Sequence, residues 1–86
     1  MTIHEEITSH DFTLQSTTKC RTSIEYVYQK GINGSAEVVR LEVYKWGGAM
    51  ITEWLYGNSR YENLPLDLTR TFEGYMSFIH IEELIK

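Results

Sequence analysis

The segment HEEITSH, residues 4–10, sets two histidines and two glutamates within seven residues, a density that invites metal or acid–base chemistry. Glu6 and His10 are four apart and would share a helix face, whereas His4 and His10 are six apart. Zinc helices of the His-Glu-x-x-His type hold their histidines four apart, so this is a different pattern. The N-terminal position also favours fraying. The expectation is a solvated N-terminus that holds no metal.

His80 falls at the polar edge of the C-terminal pattern, with Glu73 and Ser77 within two turns before it. Any solvated helix face shows as much, and no positioned nucleophile or partner carboxylate follows from the spacing. Cys20 stands between Lys19 and Arg21, with no histidine placed to activate it, and reads as an ordinary thiol. Gly47-Gly48 precedes a strand pattern rather than a helix, so it is no phosphate loop. Neither catalysis nor a cofactor is expected.

The remaining chemistry is recognition. YKWGGAMITEWLY, residues 44–56, gathers both tryptophans and two of the six tyrosines around a Gly-Gly pair. Glu25, Glu42 and Glu53 recur near it in the strand-like centre, with Arg40 the only interior cation. Twelve acidic residues against eight basic ones give a net charge of −4. Phosphate-rich nucleic acid is a poor match for such a chain, and a basic protein surface a good one. Aromatic side chains beside charges are what protein interfaces use as anchors. The expected partner-binding residues are Glu25, Glu42, Tyr44, Trp46 and Glu53.

Strands must position these residues. SIEYVYQK (23–30) and AEVVRLEVYK (36–45) are rich in β-branched and aromatic residues, and the GINGS between them contains Asn33-Gly34, a strong hairpin signal. A two-residue turn there places Ile24 opposite Val43, Tyr26 opposite Leu41 and Tyr28 opposite Val39. A slip by one residue would break every apolar pair. A second hairpin at Gly47-Gly48 would set Leu41 opposite Trp54, Val39 opposite Tyr56 and Val43 opposite Thr52. Trp54 and Tyr56 then join the core face, while Tyr44 and Trp46 project from the other. The same registers align Glu25, Glu42 and Glu53 across three strands. Like charges so placed repel, and the competing reading is a bulge, a two-residue slip or screening by Arg40.

An earlier strand is expected at residues 11–17 (DFTLQST), and a loop at 57–65 (GNSRYENLP). Leu68, Phe72, Tyr75, Met76, Phe78 and Ile79 share one arc of a helical wheel, with Asp67 as a candidate cap. The rival reading makes residues 75–81 a strand after Gly74. The expected fold is α+β: one domain, residues 1–86, an antiparallel β-meander of three to four strands with a C-terminal helix packed on one face. Ile24, Tyr26, Val39, Leu41, Val43 and Trp54 should lie beneath Phe72, Met76 and Ile79.

At 42% apolar residues the composition is that of an ordinary globular chain. A domain this small buries roughly 60–65% of its unfolded surface and has little interior for a deep active site. A single cysteine forms no internal disulfide, and no segment has the length of a membrane helix. MTIHEEITSHDF has no apolar run of a signal peptide, so a cytoplasmic location is expected. The leading functional reading is a small acidic protein-binding module, such as an inhibitor, antitoxin-like or immunity-like protein acting on a basic protein target. The alternative is a small enzyme or ligand-binding subunit whose site forms only in a homo-oligomer. Neither nucleic acid nor membrane is an expected partner. The turn offers a first test: Gly34→Val should lower the unfolding midpoint markedly, since a β-branched residue resists positive φ. An unchanged midpoint would leave the hairpin register without its anchor.

Overall fold

A computed structural model describes the chain over residues 2–31, 36–65 and 72–76. Five strands form one antiparallel sheet: β1 (Thr13–Lys19), β2 (Ser23–Lys30), β3 (Glu37–Tyr44), β4 (Ala49–Tyr56) and β5 (Ser59–Pro65). They pair in chain order, a simple meander with β1 and β5 at its edges. A short helix, α1 (Ile3–Thr8), precedes them, and residues 72–76 form a second, α2. The expected meander and C-terminal helix are present, but with five strands instead of three to four.

The solvated N-terminus is replaced by α1. Thr2 caps it by accepting the Glu5 N–H at 3.2 Å, and its hydroxyl donates to Glu5 Oε1, also at 3.2 Å. Glu5 and Glu6 lie in the first turn, where negative charge complements the helix dipole. Ile3 and Ile7, four apart, face the sheet, and Ile7 is fully buried. The chain leaves α1 through Asp11, at φ 68°, a left-handed conformation that a short polar side chain tolerates. Phe12 is thereby delivered to the core ahead of β1, and the strand begins at Thr13 instead of Asp11.

The β2–β3 ladder has the register expected from the apolar pairs: Ile24 opposite Val43, Tyr26 opposite Leu41, Tyr28 opposite Val39. The Asn33-Gly34 turn itself lies outside the described residues. The β3–β4 ladder differs from expectation. Val39 faces Trp54 and Leu41 faces Ile51, with an irregularity between Arg40 and Leu41. Thr52 is the extra residue, and its hydroxyl donates to the Arg40 carbonyl at 3.3 Å. Such a bulge shifts the two-residue alternation by one, so Ile51 and Trp54 both point inward despite being three apart.

The expected loop at 57–65 is instead β5. Gly57, at φ 60°, and Asn58 make a two-residue connection, with Tyr56 opposite Ser59. Along β5 the residue across from Thr52 is Asn63, held at φ 55°. Both strands therefore change parity at the same level. Tyr61 lies opposite Trp54 and Leu64 opposite Ile51, and both pack against the core.

The core is aromatic at its centre. Phe72 of α2 stacks on Trp54 with centroids 4.9 Å apart and planes 7° apart. Phe12 sets its edge toward both, 6.5 Å from Trp54 and 5.7 Å from Phe72. Tyr28, Val39, Leu41, Ile51 and Tyr75 complete the buried set, with Met76 packed against it. Ile24, Tyr26 and Val43 are only half-buried, and Ile79 lies outside the described residues. So do residues 77–81, where helix and strand competed. The Trp54 indole N–H donates to Glu37 Oε2 at 2.6 Å, so the buried carboxylate and the buried indole satisfy each other. Leu41→Ala and Ile7→Ala should each lower stability by roughly 2–5 kcal/mol in urea unfolding, because both side chains leave cavities. A loss at Ile7 within about 0.5 kcal/mol, typical of surface positions, would detach α1 from the core.

Candidate recognition surface

The side of the sheet away from α1 and α2 carries the expected binding residues. Glu25 and Glu42 face each other across β2 and β3 as anticipated. Glu42 does not face Glu53: the register leaving the Gly47-Gly48 turn sets Met50 opposite Glu42, and beyond the extra residue Thr52, Arg40 lies opposite Glu53. The continuous acidic row is thus broken by arginine. Arg40 bridges two strands, with Nη1 3.5 Å from Glu25 Oε1 and Nε 3.1 Å from Glu53 Oε1. Arg60 continues the chain across β5, with Nη2 2.7 Å from Glu53 Oε2 and Nε 3.0 Å from Glu62 Oε1. These are solvent-facing pairs, each contributing no more than about 1 kcal/mol. Their larger effect is to occupy the Glu53 carboxylate from both sides. Glu42 makes no ion pair among the described residues.

Tyr44 and Trp46 stand where β3 turns into β4. The turn closes through the Tyr44 N–H donating to the Gly48 carbonyl at 3.1 Å and the Gly47 N–H donating to the Tyr44 carbonyl at 3.2 Å. Gly47 and Gly48 sit at φ 90° and 94°, and a Cβ on either would meet nothing within 4 Å. The glycines serve the backbone conformation, not a close approach. The Lys45 N–H donates to the Thr22 carbonyl at 3.0 Å, which fastens the turn to the β1–β2 connection. On this support the Tyr44 and Trp46 rings stack, 4.7 Å apart and 9° from parallel. The Tyr44 hydroxyl reaches Met50 Sδ at 4.0 Å, and Trp46 is 71% exposed. The two tryptophans of one short segment therefore have opposite environments: Trp54 is wholly enclosed and Trp46 is the most exposed large apolar side chain described.

The other candidate residues are engaged in packing. His4 hydrogen-bonds through Nδ1 to the Tyr28 hydroxyl and sets its ring edgewise against Tyr26 at 4.3 Å. The His10 ring lies 5.8 Å from Phe72. Glu6 Oε1 accepts the Glu73 N–H at 3.3 Å and so links the two helices. Among the described residues no group of three histidine, cysteine or carboxylate side chains is arranged to hold a metal ion. Cys20 is exposed, and His80 lies outside the described residues. What the sequence hid was the packing role of HEEITSH, although Ile3 and Ile7 behind a Thr-x-x-Glu cap were a readable sign of it.

No family model, curated protein or solved structure matches the chain. No helix among the described residues is long and apolar enough to cross a membrane.

Burial beneath α1 pushes the Tyr28 phenol up to about 12, with the negative charge of a Tyr26 phenolate adding to it. The unfolded phenol ionises near 10, so between pH 10 and 12 the unfolded state releases a proton that the folded state keeps. Stability from this group is full below pH 10 and falls as pH rises toward 12. Ultraviolet titration of phenolate should show a late component that Tyr28→Phe removes; ionisation of every tyrosine near pH 10 in the folded protein would contradict the burial.

Proposed function

We propose that this chain is a small acidic protein-binding module that docks a basic protein surface against the Tyr44–Trp46 end of its outer sheet face. The observation that carries the reading is the stacked aromatic pair. An indole 71% exposed does little for the core, yet its ring is held by Tyr44 and by a hydrogen-bonded turn. Exposed aromatic area marks interaction sites on soluble proteins, and rigid aromatics are frequent anchors within them. A pre-positioned ring also loses less side-chain freedom on binding.

Charge supports the same face. Glu42 lies two residues from Tyr44 on the same strand and the same side, roughly 7 Å along the backbone. Glu25 and Glu53 are already paired with arginines, so their part is to sustain a negative field, while Glu42 keeps its carboxylate for a partner. Together with the net charge of −4 this favours encounter with cationic surfaces. An inhibitor or an immunity-like or antitoxin-like role is the form such a module would take.

The experiment is affinity capture from the native host with the parent protein and Trp46→Ala side by side, followed by association kinetics on the captured target. Trp46→Ala should fold with an unchanged unfolding midpoint and lose at least about 2 kcal/mol of binding, as an anchor does. Glu42→Lys should slow association most at low salt, where exposed charges are least screened. Equal capture by parent and Trp46→Ala would remove the aromatic pair from the interface. Sedimentation of the parent distinguishes the homo-oligomer alternative: a dimer that Trp46→Ala dissociates would assign the patch to self-association.

A further inference from the structure

The charge on the outer face does not balance, and the imbalance has a location. On that side of β2 to β5 the described strand residues supply four carboxylates, Glu25, Glu42, Glu53 and Glu62, against two guanidiniums, Arg40 and Arg60. Both guanidiniums are engaged by Glu25, Glu53 and Glu62. Glu42 is left facing Glu25 directly across the ladder, an arrangement of like charges that weakens a sheet. Lys45, exposed in the adjoining turn, forms no ion pair with it. A cation delivered from outside would remove the repulsion.

The next outward residue along β3 is Tyr44, stacked on Trp46. We infer that the partner presents an arginine whose guanidinium pairs with Glu42 and packs against the Tyr44–Trp46 stack. The inference rests on the docking reading of this face and specifies its chemistry. Lysine fits the site less well. Its ammonium is a compact, strongly hydrated charge, whereas a guanidinium is flat, weakly hydrated and able to stack on a ring while its fork of N–H groups meets a carboxylate. The two aromatic rings are already parallel, so the platform needs no rearrangement to receive a planar group.

The test is a nitrogen–proton correlation titration of the labelled protein with three capped hexapeptides, of arginine, lysine and citrulline. The citrulline peptide keeps the planar shape without the charge. The arginine peptide should shift the Trp46 indole N–H and the Glu42 amide while the buried Trp54 indole N–H stays in place. It should bind at least about threefold more tightly than the lysine peptide, because only arginine stacks and forks, and the citrulline peptide should be weaker than either. Glu42→Gln should weaken the arginine peptide at least about threefold, whereas Glu62→Gln, further along the sheet, should change it less than about twofold. Equal affinity for arginine and lysine, equal affinity for citrulline, shifts centred elsewhere, or equal effects of the two substitutions would each overturn the assignment. The outcomes separate from those of the docking reading. If Trp46→Ala still abolishes capture of the host partner but the arginine peptide leaves Trp46 and Glu42 unmoved, docking stands and the arginine falls. If capture does not depend on Trp46, docking itself falls.

Discussion

The position of Trp54 constrains nearly everything else in this fold. The indole lies at the centre of the sheet's covered face, stacked by Phe72, edged by Phe12 and hydrogen-bonded to Glu37. It therefore joins α2, the segment after α1 and the start of β3 in one contact. A strand alternates sides with each residue, so Ile51 and Trp54, three apart, cannot both face inward on a regular β4. The extra residue at Thr52 resolves this, and β5 makes the matching change at Asn63 so that Tyr61 and Leu64 follow their partners inward. Asparagine is one of the few residues that takes the left-handed conformation without large cost. The local irregularity of two strands is what gives the core enough apolar side chains to cover.

That same shift decides the electrostatics of the opposite face. Continued past Leu41 without the extra residue, the β3–β4 ladder would have set Glu53 beside Val39 and turned its carboxylate toward the core. The bulge moves Glu53 beside Arg40 and within reach of Arg60, so charges of opposite sign alternate from Glu25 to Glu62. Core packing on one side and charge pairing on the other are thus satisfied by one inserted residue, and Glu42 is the carboxylate left over.

How much of this is legible in the sequence follows from the range of each cause. The β2–β3 register is readable because three successive pairs on one face, Ile24–Val43, Tyr26–Leu41 and Tyr28–Val39, are apolar on both sides and Asn33-Gly34 agrees with it. The bulge is not, because Thr52 looks like any strand residue and only the Ile51–Trp54 spacing hints at a parity change. β5 is hidden for the same reason: Asn63 breaks the alternation between Tyr61 and Leu64, and glycine, asparagine and proline make the stretch resemble a loop. α1 is concealed by its brevity, since six residues form no stable helix alone and tertiary contacts through Ile3 and Ile7 must hold it. The aromatic end of the candidate site is readable in its residue types and in the sidedness of Tyr44 against Trp54. The pairing state of its glutamates depends on the bulge, and so is not.

The two tryptophans have opposite environments, Trp54 enclosed at the centre of the core and Trp46 exposed and stacked on Tyr44. Acrylamide quenching of the intrinsic fluorescence of the parent and of Trp46→Phe measures that division directly. The parent should show a readily quenched, long-wavelength component that disappears in Trp46→Phe, leaving short-wavelength emission from Trp54 that acrylamide barely reaches. Readily quenched, long-wavelength emission from folded Trp46→Phe would contradict it, because Trp54 would then be open to solvent and the core would not be built around it.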